Sequence, residues 1–79
     1  MNIKDYEIKY KNYKTDLLKS VLEDTLKTIR MLENIYQSMG DFYSEVSEDF
    51  RNKTYNERQN LCRKSSAIYS LLRERGENV

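Results

Sequence analysis

Apolar residues recur along this chain at spacings of three and four for most of its length. The stripe passes through Ile3, Tyr6, Tyr10, Tyr13, Leu17 and Val21, then through Leu22, Thr25, Ile29, Leu32, Tyr36, Met39, Tyr43, Val46 and Phe50. From Leu22 it is a heptad, with a at Leu22, Ile29, Tyr36, Tyr43 and Phe50 and d at Thr25, Leu32, Met39 and Val46. No proline interrupts it. The pattern predicts one long helix over about residues 3–51.

Turn and cap chemistry sets the bounds. Thr54, with Glu57 three residues on, reads as a capping box, and Asn52 suits the left-handed close of a preceding helix. A second helix is therefore expected over about 54–75. Gly76 falls at its C′ position, and Arg73 and Arg75 lie in its last turn, facing the negative end of the helix dipole. Gly40 costs about 1 kcal/mol inside a helix, but the heptad keeps its phase across it, which predicts continuity or a mild kink. Thr15 offers an N-cap where the stripe advances by fours, so a break there is the lesser alternative to a local stutter. The alternation of Tyr6, Ile8 and Tyr10 also admits a short strand at the start of the chain.

At about 1.5 Å per residue the first helix is roughly 70 Å long and the second roughly 30 Å. Folding one back on the other leaves more than half of the stripe uncovered. Val21, Ile35 and Phe42 widen it at g, which suits contact with two helices rather than one. The expected fold is all-α: a single helical domain over residues 1–79, with a long and a shorter helix as an antiparallel hairpin or coiled coil. Two such hairpins would form a four-helix bundle on dimerisation. The oligomer interface then comprises Ile29, Leu32, Tyr36, Met39, Tyr43, Val46 and Phe50.

Composition narrows the class. Seventy-nine residues make one small domain, and a chain of this size gains little from an internal core alone. Apolar content of 38% with 34% charged residues is too apolar for a disordered chain and too polar for a membrane span. The residues Met1-Asn2-Ile3-Lys4-Asp5 lack a secretory-signal layout. One cysteine, Cys62, leaves no internal disulfide, so a cytoplasmic protein is expected, with signal-independent export still open. Residues 41–50 hold four acids and no base, and residues 51–79 hold seven bases and three acids. That juxtaposition suggests charge matching within or between chains.

The search for chemistry finds no catalytic set. Histidine is absent, and with it the commonest general base and metal ligand near neutral pH. Cys62 has Arg63 and Lys64 beside it in sequence, but residues one and two apart on a helix do not face each other, so it reads as a packing residue. Two glycines cannot build a phosphate loop. Glu45, Glu48 and Asp49 share a helical face, yet hard cations want six or more oxygens, usually from a loop. The chain is expected not to be an enzyme and to carry no cofactor or metal.

Tyr6, Tyr10 and Tyr13 sit at helical spacing with Lys9, Lys11 and Lys14 among them. Aromatic rings interleaved with bases can stack and neutralise single-stranded nucleic acid. They also mark protein interfaces, where a tyrosine keeps one end apolar and one end wet. A pI near 7.8 and interspersed acids argue against a nucleic-acid footprint. Tyr6, Tyr10, Tyr13 and Lys9 are therefore expected to form a partner-binding surface outside the bundle.

The expected function is a non-catalytic helical protein–protein interaction module, an adaptor, escort or inhibitor, whose partner is a second copy or another helical protein. The alternative from a different class is a small nucleic-acid-binding helical dimer. The size, the missing signal and the placement of Gly40 between helical segments resemble the small secreted helical hairpins of the WXG100 type. Where that family carries Trp-x-Gly, this chain carries Ser38-Met39-Gly40. The resemblance implies a secretion-associated helical hairpin, and a small phage-type inhibitor protein fits the same facts equally well.

Overall fold

The computed structural model describes residues 2–41 and 48–78. All regular structure among them is helical: α1 over Ile3–Tyr10, α2 over Thr15–Asp41 and α3 over Glu48–Glu74. Both α1 and α2 pack against α3.

An eight-residue helix is marginal in water on its own, and α1 is held at both ends. Its N-terminus is a capping box: the Asn2 side chain accepts from the Asp5 amide at 2.9 Å, and the Asp5 carboxylate accepts from the Asn2 amide at 3.1 Å. After Tyr10 the chain turns over residues 11–14. The Tyr13 amide donates to the Tyr10 carbonyl at 3.0 Å, and the Leu18 amide to the Lys14 carbonyl at 2.9 Å. Arg75, just past the end of α3, reaches this turn with Nη1 on Thr15 Oγ1 (3.1 Å) and Nη2 on the Lys11 carbonyl (2.9 Å). Its positive charge thus lies at the C-terminal end of α1, where the helix dipole favours a cation.

The single helix expected over residues 3–51 is therefore divided. Its stutter at Lys14-Thr15-Asp16 is a real break, and the phase resets across it. Leu17, which continued the stripe from Tyr13, is half exposed, and Leu18 is fully buried instead. The turn lets Tyr10 fold onto α3, where burial gives more than a straight extension into water could. α2 then continues through Gly40 to Asp41. The expected stretch beyond it, including Phe42, Tyr43 and Val46, lies outside the described residues.

The core forms where all three helices meet: Tyr10 of α1, Leu18 and Leu22 of α2, and Ile68, Leu71 and Leu72 of α3. Tyr6, Tyr13, Val21, Leu26 and Tyr69 pack around it, partly buried. Farther along α2, Thr25 and Ile29 are also buried.

The start of the second helix also differs from expectation. α3 begins at Glu48, with Glu48 and Asp49 in the first turn, where carboxylates suit the dipole. Thr54 is no cap. It lies inside α3, only 6% exposed, and its hydroxyl donates to the Phe50 carbonyl at 2.9 Å. Asn52 is likewise helical. The residues facing α2 explain this, since Thr54, Arg58, Leu61, Ser65, Ile68 and Leu72 advance by four and three throughout. The far end matches expectation. Gly76 has φ +79°, its amide donates to the Arg73 carbonyl (3.0 Å), and the Glu77 amide donates to the Leu72 carbonyl (3.0 Å). Together these bonds make a Schellman close.

Two outcomes test this packing by urea denaturation. Tyr10→Ala should cost about 3–5 kcal/mol, the range of large aromatic truncations in cores, whereas Ile8→Ala, at a residue 68% exposed, should stay within about 0.5 kcal/mol. Thr54→Val should be close to neutral, because it removes a hydroxyl bonded only to its own helix. Thr54→Asp should cost more than about 2 kcal/mol by placing a carboxylate between helices. Were Thr54 an N-cap, aspartate would be the harmless substitution and valine the damaging one.

Candidate functional site

The helices differ in length, and the site follows from that. α1 spans about 12 Å, while α2 and α3, of 27 residues each, span about 40 Å. α1 can brace only the end of the pair where residues 15–28 of α2 meet residues 61–75 of α3. At the other end the heptad positions are open. Leu32 is half-buried, Tyr36 is 46% exposed, Phe50 51% and Tyr55 47%.

Between these positions lies a groove of about 410 Å³, lined by Leu32, Glu33, Tyr36 and Gln37 of α2 and by Thr54, Tyr55 and Arg58 of α3. The Tyr36 and Tyr55 rings, both in its lining, are 6.4 Å apart and tilted by 48°. One rim carries an ion pair: Arg58 donates from Nη2 (2.8 Å) and Nε (3.2 Å) to the same oxygen of Glu33, Oε1. This bond raises the pKa of Arg58 further above its already high ordinary value, so the guanidinium stays charged. Tyr55 and Lys64 are nine residues apart, hence on opposite sides of α3 at about 100° per residue. Lys64 sits over the Tyr10 ring of α1, at 5.6 Å. The groove thus opens away from α1.

The residues expected to bind a partner divide between core and surface. Tyr10 is 6% exposed, edge-on to Tyr13 at 4.8 Å between ring centroids, with the Lys9 and Lys64 ammonium groups 5.4 and 5.6 Å from its centroid. Tyr6 and Tyr13 pack partly buried against the same cluster, and only Lys9 is exposed. Tyr10 is thus part of the core between α1 and α3 and has no face on which a nucleobase could stack. Of the expected oligomer interface, Leu32 and Tyr36 line the groove, Phe50 is exposed near it, and Ile29 is buried within the chain. The Met39 side chain, Tyr43 and Val46 lie outside the described residues.

Sequence reasoning missed Arg58 and Glu33 as groove residues, because a hydropathy stripe passes over charged members. The signal was the heptad spacing of Arg58 from Thr54 and Leu61. Cys62 is half-buried on α3. Glu48 and Asp49 are exposed, and Glu45 lies outside the described residues. Among the described residues, no group of three or more Cys, Asp and Glu side chains is placed to hold a metal ion, and no helix is long and apolar enough to cross a membrane.

No family model matches this chain, and neither does any curated protein or solved structure with which it was compared.

The Glu33–Arg58 pair is more than a third exposed on both sides, and exposed pairs contribute about 0–1 kcal/mol. A double-mutant cycle with Glu33→Gln and Arg58→Met, read by denaturation of dilute protein, should give a coupling below about 1 kcal/mol that shrinks in 1 M salt. A larger, salt-insensitive coupling would mean that the pair holds α2 to α3 rather than marking the groove.

Proposed function

We propose that this chain is a non-catalytic helical protein–protein interaction module. In this reading α2 and α3 form an antiparallel hairpin, braced at one end by α1, and the groove on the other side receives a helical surface of a partner. The observation that carries it is the character of the groove: two half-exposed tyrosines, a half-buried leucine and an arginine at one spot between two helices. Tyrosine and arginine are the residue types most often found to dominate binding energy at interfaces, and such residues act from central, well-packed positions. A helix laid in a groove between two others is also a recurrent mode of recognition.

The balance of burial supports the same reading. The chain's well-packed apolar residues lie beside α1, while the groove end keeps large side chains in water that a third layer would cover. Tyr36 and Tyr55 would lose apolar surface at roughly 25 cal/mol per Å² on docking, and their hydroxyls would stay at the wet rim.

Photo-crosslinking in cells tests this. With benzoylphenylalanine at position 36 or 55, irradiation should give a discrete adduct of defined mass. The same residue at Asn12, exposed in the α1–α2 turn, should give none. Adducts from neither groove position, or equally from all three, would overturn the reading.

A further inference from the structure

The occupant of the groove is the open question, and three features of the molecule point to the same one. The first is area. The chain exposes 5834 Å², against about 5,050 Å² for a compact monomer of its 9.5 kDa mass. The excess of roughly 800 Å² is what each partner contributes to an interface of standard size. It matches the drawn-out shape, with extents of 47 × 20 × 14 Å.

The second feature is a pair of hydrogen-bonding atoms left to solvent. Arg58 places both of its bonds on Glu33 Oε1. Oε2 of Glu33 and Nη1 of Arg58 make no hydrogen bond among the described residues, although a guanidinium and a carboxylate can engage two-and-two. One is an acceptor on α2 and the other a donor on α3, at the same level of the groove. A two-fold axis along the groove would lay α2 of one copy over α3 of the other. Each Glu33–Arg58 pair would then meet the same pair inverted, Oε2 against Nη1 on both sides.

The third feature repeats this rule farther along. Lys19 and Glu33 are two heptads apart and so lie along one line of α2. Lys19 is also paired across the chain, to Glu77 at 3.1 Å, with the opposite order of charge. The two ion pairs, one at the groove and one at the α1-braced end, are self-complementary under the same axis, since a plus–minus pair laid on its own inverse always finds opposite charge. A two-fold interface requires such self-complementarity, and both pairs meet that requirement.

The geometry points to a second copy of this chain as the occupant: two copies joined by a two-fold axis along the groove, with Tyr36 and Tyr55 at its centre and Glu33 and Arg58 of each pairing with those of the other. This rests on the groove being a docking surface and adds which partner it takes.

Charge reversal with mixing tests it by sedimentation equilibrium. The wild-type chain should be a dimer at micromolar concentration. Glu33→Arg leaves two like positive charges at the rim and Arg58→Glu two negative ones. Each variant alone should keep its helical spectrum while its dimer dissociation constant rises by at least about tenfold. A 1:1 mixture of the two should recover the dimer as a heterodimer. A pair that acted only within one chain could not be restored by mixing two damaged chains. A wild type that stays monomeric to about 100 μM, a concentration at which a dimer of −5 to −6 kcal/mol would be evident, overturns the proposal, and so does a mixture that stays monomeric. If position 36 or 55 then still crosslinks to a chain of different mass, the docking surface stands and the second copy does not. If neither crosslinks, both fall.

Discussion

A helix of eight residues lies against a helix of 27, and most of the molecule's character follows from that mismatch. Burial requires a third layer over the α2–α3 seam, and α1 supplies one over little more than a quarter of its length. Where α1 sits, Leu18, Ala67, Ile68 and Leu72 are fully buried. Past its reach, side chains of the same heptad lines emerge into water, Tyr36 and Phe50 among them. The open groove lies past the reach of α1, on the side of the α2–α3 pair that faces away from it. α1 in turn depends on Tyr10, the one buried residue of its eight. Arg75 and the Asn2–Asp5 box hold its ends, but apolar burial against Leu71 and Leu72 stabilises it more than either.

The seam itself is unusual in its polar members. Thr25, Thr54 and Ser65 are buried in it, and each returns its hydroxyl to a carbonyl of its own helix: Val21 at 2.7 Å, Phe50 at 2.9 Å and Cys62 at 2.8 Å. The donors are satisfied, so burial carries little penalty. They form no bond across the seam, however, and bury less apolar area than leucines would. Their small size lets the two helices approach. Attraction between α2 and α3 therefore comes mainly from the apolar cluster beside α1, with Ile29 farther along α2.

How far the sequence disclosed this depended on the kind of residue involved. The all-helical class was legible from the three-four spacing, and the C-terminal close from Gly76, because both signals are local and carry a backbone requirement. The break at residues 11–14 was legible only as the lesser alternative, since no proline or glycine marks it and Tyr13, Leu17 and Val21 continue a plausible stripe. Extending the heptad backward from Leu22 would have reached Leu18 and exposed the change of phase. The false cap at Thr54 has the opposite cause. A threonine three residues before a glutamate is common, and it misleads when the threonine belongs to a helical stripe with polar members, here Thr54, Arg58 and Ser65. The groove was half legible. Tyr36 and Leu32 lie on the apolar stripe, while Arg58 and Glu33 become visible only once the two helices are side by side.

The two ends of the molecule thus play different parts in one energy balance. At the end beside α1 the chain closes on itself. The Schellman turn brings Glu77 to Lys19, Arg75 clasps the α1–α2 turn, and the core fills behind them. At the groove end fewer of the described side chains are buried, and local stability falls with the number of buried apolar contacts. On the proposed reading, a partner in the groove supplies the missing layer, so binding and the ordering of that end draw on the same burial. Occupancy would then raise stability by mass action, and most at α2 beyond Ile29 and α3 before Leu61. Hydrogen exchange there would slow on association, while amides of the α1-braced end would change little. That difference between the ends separates a docking surface from a merely imperfect core, because an imperfect core gains nothing from a partner.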